Sequence, residues 1–151
     1  MRTGSQLLRA ALLAAAFTFS PLVHAAGEAV EVLKTSGCGC CIGWMKHLEE
    51  AGYVVTSRDM AMGDLMKVKL DAGLTPDLTS CHTGLVDGYV IEGHVPAREV
   101  ARLLQERPEA IGLTVPNMPI GSPGMEGDDA ESYQVLLVRR DGATEVFASY
   151  P

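Results

Sequence analysis

The chain has 151 residues, 12 Lys and Arg against 19 Asp and Glu, and a net charge of -7; 47% hydrophobic and 21% charged residues are what one folded domain with appendages requires, not a disordered chain. The acidic balance excludes the basic surface that phosphate neutralisation needs, and 5% aromatic residues leave few rings for base stacking, so nucleic acid is not an expected partner. Met1–Ala25 reads as a secretory signal: Arg2 and Arg9 supply positive charge, Leu7 to Phe19 is apolar apart from Arg9 and Thr18, Pro21 ends the run, and Val23-His24-Ala25 offers small residues for cleavage. The uninterrupted run falls short of the ~20 residues that span a bilayer, so no membrane attachment is expected once it is removed. Removal leaves residues 26–151, 126 residues with a net charge of -9 because both arginines leave too. A bacterial periplasm, which is oxidising, is the expected destination.

In the mature chain, Val30 to Thr35 reads as a strand and Ser36-Gly37-Cys38-Gly39 as a tight turn. Cys41, Trp44, Met45 and Leu48 then recur at helical spacing, with Gly52 as the stop. Tyr53 to Arg58 reads as a strand, and a helix from Asp64 carries Leu65, Val68 and Ala72 on one side and ends at Gly73. Asp87-Gly88 between Leu85-Val86 and Tyr89-Val90-Ile91 predicts a hairpin. Pro96 suits a helix start, Val100, Leu103 and Leu104 form that helix's stripe, and Pro108 ends it. Gly112 to Ala130 reads as a long loop, and Tyr133–Val138 with Thr144–Ala148 as a final hairpin. The order β-α-β-α-β-β-α predicts an α/β fold, a thioredoxin-like layer with an added C-terminal β-hairpin.

The unusual inventory is four Cys, seven Met and four His. Cys38 and Cys41 form a C-x-x-C at a strand-to-helix turn, where free backbone N–H groups and the helix dipole favour thiolate. Cys40 argues against simple dithiol exchange, because a third adjacent thiol competes with attacker and resolver. Cys40 and Cys41 project about 100° apart on a helix, which predicts that they do not share one tetrahedral ion but hold different ions in a thiolate-bridged cluster. Cys81-His82 supplies a fourth sulfur and an imidazole on a loop that such a layer places opposite the C-x-x-C turn. Two structural disulfides are the bland alternative, although a chain of this size builds a core without staples. Thiolate and thioether donors select Cu(I); thiolate with imidazole also suits zinc, though C-x-C-C departs from the usual paired zinc spacing.

Met45 and Trp44 read as core, and Met60, Met62 and Met66 as packing residues around a helix start. Met118 and Met125 lie in a Gly- and Pro-rich loop with little need of core methionine, which makes them candidate soft ligands. His82 beside Cys81 is the best-placed imidazole, His94 at a strand end is a second candidate, and His47 reads as exposed. Asp128, Asp129 and Glu131 read as a solvated loop, and no Ser/His/Asp set, phosphate loop or carboxylate pair stands out.

Taken together, Cys38-Gly39-Cys40-Cys41 with Trp44 and His47-Leu48, Ser80-Cys81-His82-Thr83, Gly88-Tyr89, Glu92-Gly93-His94-Val95-Pro96, Glu106-Arg107-Pro108, Val115-Pro116 and Met118 to Glu126 resemble the small periplasmic CopG-type proteins associated with copper resistance. The resemblance spans about Val30 to Tyr150. It implies a thioredoxin-like fold and cysteine-bound Cu(I) in a multi-copper, thiolate-bridged cluster. Carried over by position, it implies Cys38, Cys40, Cys41 and Cys81 as ligands, with His82, His94, Met118 and Met125 at matching motif positions. Asn117 stands where that family's loop carries glycine, which puts a Cβ into the turn before Met118, and Ser36-Gly37 replaces its usual Pro-Thr.

The leading expectation is a binding protein that captures copper ions and lowers their free concentration, in exchange with periplasmic copper carriers or electron donors. A thiol or copper oxidoreductase is the alternative from another class, since two thiolates release electrons on forming a disulfide. A structural zinc domain is the third reading.

Overall fold

In chain order, residues 27–151 of the computed structural model form β1 (Ala29–Lys34), α1 (Gly39–Glu50), β2 (Val54–Asp59), α2 (Met62–Asp71), a 3-10 turn (Pro76–Leu78), β3 (His82–Val86), β4 (Tyr89–Gly93), α3 (Ala97–Glu106), β5 (Ala110–Val115), β6 (Tyr133–Arg139) and β7 (Thr144–Tyr150). Met1–Ala25, expected to be a secretory signal, lies outside the described residues. The strands make one mixed sheet of seven, ordered β2-β1-β3-β4-β5-β6-β7. β1 pairs with β2 and β4 with β5 in parallel; the other neighbours are antiparallel. No described helix is long and apolar enough to cross a membrane.

The two faces of the sheet are covered differently. Alternation sends Val30, Val32 and Ile91 toward α1 and α3, where they meet Trp44, Leu48, Val100 and Leu103 in the main core. Val90 and Val138 point the other way, into a smaller cluster with Leu74 and Leu78. α2 contributes Leu65 and Lys69 as its buried residues.

Three sequence expectations need correction. Residues from Gly112 on do not all lie in a loop: Ala110–Val115 is strand β5, lodged between β4 and β6. Gly112 hid it by breaking the apolar pattern, and the reason for the glycine is close approach, since a Cβ there would run into the Val90 carbonyl. α2 opens at Met62, two residues before Asp64, and its inner face carries Lys69. His47 is half-buried, because its Nε2 accepts the backbone N–H of Ala97 at 3.0 Å and so satisfies a donor at the start of α3. Burial, acting against the charges of Glu50 and Glu126, lowers its pKa.

Candidate metal centre

The end of β1, the start of α1 and the entry to β3 meet at one point. Gly37, at φ 75, turns the chain out of β1. Cys38 then occupies the N-cap of α1 in extended conformation, with no side-chain cap bond. Cys40 and Cys41 follow in the first helical turn, where amide N–H groups lack intrahelical partners. β3 runs antiparallel to β1 with His82 opposite Lys34, which delivers Cys81 to the same end of the sheet.

The sulfurs converge. Cys40 Sγ lies 3.5 Å from Cys38 Sγ and 3.6 Å from Cys81 Sγ, and Cys41 Sγ lies 3.7 Å from Cys81 Sγ. All four fall within 4.8 Å of one another. Thiolates on one tetrahedral ion with metal–sulfur bonds of about 2.3 Å sit about 3.8 Å apart. The sulfurs of Cys40 and Cys41 thus lie closer together than their angular spacing along a helix implies. At a helix end both side chains lean over the terminus, so the angle between their Cβ directions does not separate the sulfurs. Cys38 and Cys41 are joined as a disulfide, and Cys40 and Cys81 are free. The bond is thus local to the motif; among the described residues there is no pair of staples.

Cys81 also belongs to a second group. His94 Nε2 lies 3.1 Å and His82 Nδ1 3.3 Å from its sulfur. The tautomer of His94 follows from its other nitrogen: Nδ1 lies 2.8 Å from the Pro123 carbonyl, which only accepts, so Nδ1 carries the proton and Nε2 presents a lone pair to Cys81. Such an arrangement orients an imidazole for a metal. The His82 ring lies 4.4 Å from that of Trp44 and 5.0 Å from that of His94, and its buried Nε2 has no hydrogen-bond partner. Trp44 is itself fixed by Nε1 donating to the Val95 carbonyl at 2.8 Å.

Burial disfavours charge on Cys81, His82 and His94. Burial first, then Cys40, pushes the Cys81 thiol up to about 12. Burial lowers His82 well below the usual imidazole value, helped by His94 and Lys69, and also lowers His94 against the Pro123 carbonyl and Glu126. A soft cation that displaces the thiol proton relieves this, so binding releases protons. The donor set of four sulfurs and two imidazoles fits copper and excludes hard ions such as Mg2+.

The candidate methionines lie on the long loop. Its segment Gly121–Met125 closes on α1: Gly124, at φ 86, sits where a Cβ would come within 2.6 Å of both the Cys40 carbonyl oxygen and the Trp44 nitrogen. Met125 is half-buried beside it. Met118 is 46% exposed and lines a cleft of about 1020 Å³ with Val115, Tyr133 and Tyr150. Asn117 holds φ 63, the left-handed conformation that asparagine tolerates, so its Cβ leaves the turn intact. Sequence reasoning missed Lys69 and Glu92, an ion pair buried beneath Cys81-His82. Lysine at a core position of α2, four residues after Leu65, was the available signal.

A family described as protein of unknown function, DUF411, matches residues 78–125. No curated protein matches the chain. Two solved structures, named copper resistance protein copG form 1 and form 2, are each 45% identical to it and cover 83% of this chain. The alignments take in 98% and 99% of those chains, with TM-scores of 0.77 and 0.78.

Proposed function

The chain belongs to the family of copper resistance protein CopG, and from that premise we propose that it is a periplasmic copper-binding protein for copper resistance and homeostasis. Residues 26–151 act as one metal-binding domain after loss of the signal segment. Cys38, Cys40, Cys41 and Cys81 hold Cu(I), as more than one ion sharing thiolates, and His82, His94, Met118 and Met125 complete the donor set. The observation that carries this reading is the convergence of Cys81, distant in sequence, to 3.6 Å from Cys40 and 3.7 Å from Cys41. Soft sulfur donors favour the monovalent ion. Strand order β2-β1-β3-β4, with α1 and α2 in the connections, supports reading this half of the fold as a thioredoxin-like layer to which β6 and β7 add a hairpin.

Full thiolate coordination requires opening of the Cys38–Cys41 bond by an external dithiol, which supplies two electrons. That disulfide, beside two free thiols, favours the oxidoreductase as a second reading: when the reduced Cys38–Cys41 pair closes, its two electrons reduce two Cu(II) to Cu(I). Anaerobic loading separates the readings from a structural zinc site. Several Cu(I) per reduced chain support copper binding, one zinc per chain supports the structural site, and Cu(I) formed from Cu(II) in step with disulfide closure supports the redox reading.

A further inference from the structure

Beneath Cys81-His82, on the opposite face of the sheet from Trp44, lies a pair of buried charges that copper binding leaves unexplained. Lys69 of α2 is 1% exposed and Glu92 of β4 is 0% exposed. Lys69 Nζ donates to Glu92 Oε1 at 2.5 Å and to Thr83 Oγ1 at 2.8 Å. Thr83 Oγ1 in turn donates to Glu92 Oε2 at 2.7 Å, and the Ser80 backbone N–H donates to Glu92 Oε1 at 2.7 Å. One carboxylate therefore grips Ser80 on one side of Cys81-His82 and Thr83 on the other.

The grip matters because of where Cys81 sits. The ladder between β1 and β3 ends at His82, so Cys81 lies just before the strand begins. Thr83 and Glu92 are cross-strand partners in β3 and β4, which makes Glu92 a rigid anchor for a segment without ladder bonds of its own. Ser80 Oγ donates to the Asn117 carbonyl, tying the same segment to the long loop. Burying two charges costs more than burying apolar side chains of equal volume, and replacing such a pair by apolar groups is often neutral or stabilising. Stability alone therefore does not account for Lys69 and Glu92.

We propose that Glu92, held by Lys69 and Thr83, is the positioning residue for Cys81, fixing the segment Ser80-Cys81-His82 so that the thiol reaches Cys40 and Cys41. Lys69 holds the carboxylate in its aim; neither residue touches the metal. Its consequence for copper affinity rests on the proposed function, whereas the placement of Cys81 is readable with no metal present.

The test is alkylation of Cys81 by iodoacetamide in the metal-free, disulfide-containing protein, followed by peptide mapping, in Glu92→Gln and in the double variant Lys69→Met/Glu92→Leu. Both variants label Cys81 at least about tenfold faster than wild type, and after reduction both bind Cu(I) about tenfold more weakly, the scale seen when groups that orient ligands are removed. The double variant keeps a wild-type melting temperature, so lost stability does not explain the change. Leu103→Ala, a core truncation in α3, lowers the melting temperature and leaves Cys81 labelling unchanged. Should Glu92→Gln fail to fold, Thr83→Val removes one arm of the network and shifts labelling in the same direction. Cys81 labelling within about twofold of wild type in the folded double variant overturns the proposal. Faster labelling in a protein whose wild type takes up no copper leaves the positioning role standing and overturns the copper reading instead.

Discussion

Replacing Gly124 by alanine tests how the long loop closes the site. A Cβ at this position would lie 2.6 Å from the Cys40 carbonyl oxygen, 2.6 Å from the Trp44 nitrogen and 3.1 Å from the Gly43 carbonyl carbon. All three are backbone atoms of α1, so no side-chain rotation relieves the overlap. The loop must withdraw by about 0.7 Å to restore ordinary carbon–oxygen contact near 3.3 Å. Alanine also carries a left-handed penalty of about 1–2 kcal/mol at the φ of 86 that Gly124 adopts. Withdrawal breaks the hydrogen bond from His94 Nδ1 to Pro123, a loss of about 1 kcal/mol. The sum, about 2–3 kcal/mol, corresponds to roughly 30- to 150-fold in the closing equilibrium. Hydrogen exchange reads it directly, because Gly121 N–H and Met125 N–H are bonded within the closed segment, to the Met125 and Ser122 carbonyls. Their protection falls by that factor in Gly124→Ala while core strand amides keep theirs. Protection within about threefold of wild type at both amides refutes the reasoning.

Gly43→Ala gives a split result: helix propensity gains up to about 1 kcal/mol, yet its Cβ would meet Gly124 Cα at 2.9 Å, so the melting temperature holds or rises while loop protection falls. Lys69→Met alone leaves Glu92 buried without its cation and destabilises by about 3–5 kcal/mol in urea unfolding, a cost the double variant does not show. Stability also depends on His47, whose folded pKa is depressed while the unfolded group keeps its ordinary 6.5. Below that value the unfolded state takes up a proton that the folded state refuses, so stability is present above pH 6.5 and declines as pH falls toward the folded pKa. Melting curves between pH 7.5 and 5.5 show the decline, shallower in His47→Gln, which has no ring nitrogen to titrate.

The cysteine centre was legible because its chemistry is carried by residue type. Cys38, Cys40 and Cys41 announce themselves at a strand-to-helix turn, and the hairpin at Asp87-Gly88 shows that the strand after Cys81 turns back into the sheet. The direction of each thiol was not legible. Angular spacing along a helix describes its middle, whereas Cys40 and Cys41 stand in the first turn. β5 was hidden because a strand covered on both faces, interrupted by a glycine required by Val90, has neither alternation nor a clean apolar run. Lys69 was hidden for another reason. Its partner is 23 positions away on another strand, and a lysine on an apolar helix face is ordinarily read as reaching out to water. His47 escaped in the same way, its role set by an amide 50 residues distant.

The most direct measurement of the central claim is the anaerobic Cu(I) stoichiometry of the reduced chain and its four single Cys→Ser variants, read by native mass spectrometry. Shared thiolates in one pocket predict more than one Cu(I) per wild-type chain and fewer in every variant, Cys81→Ser included. A wild-type chain carrying at most one copper, or a Cys81→Ser variant that loads as fully as wild type, contradicts the account.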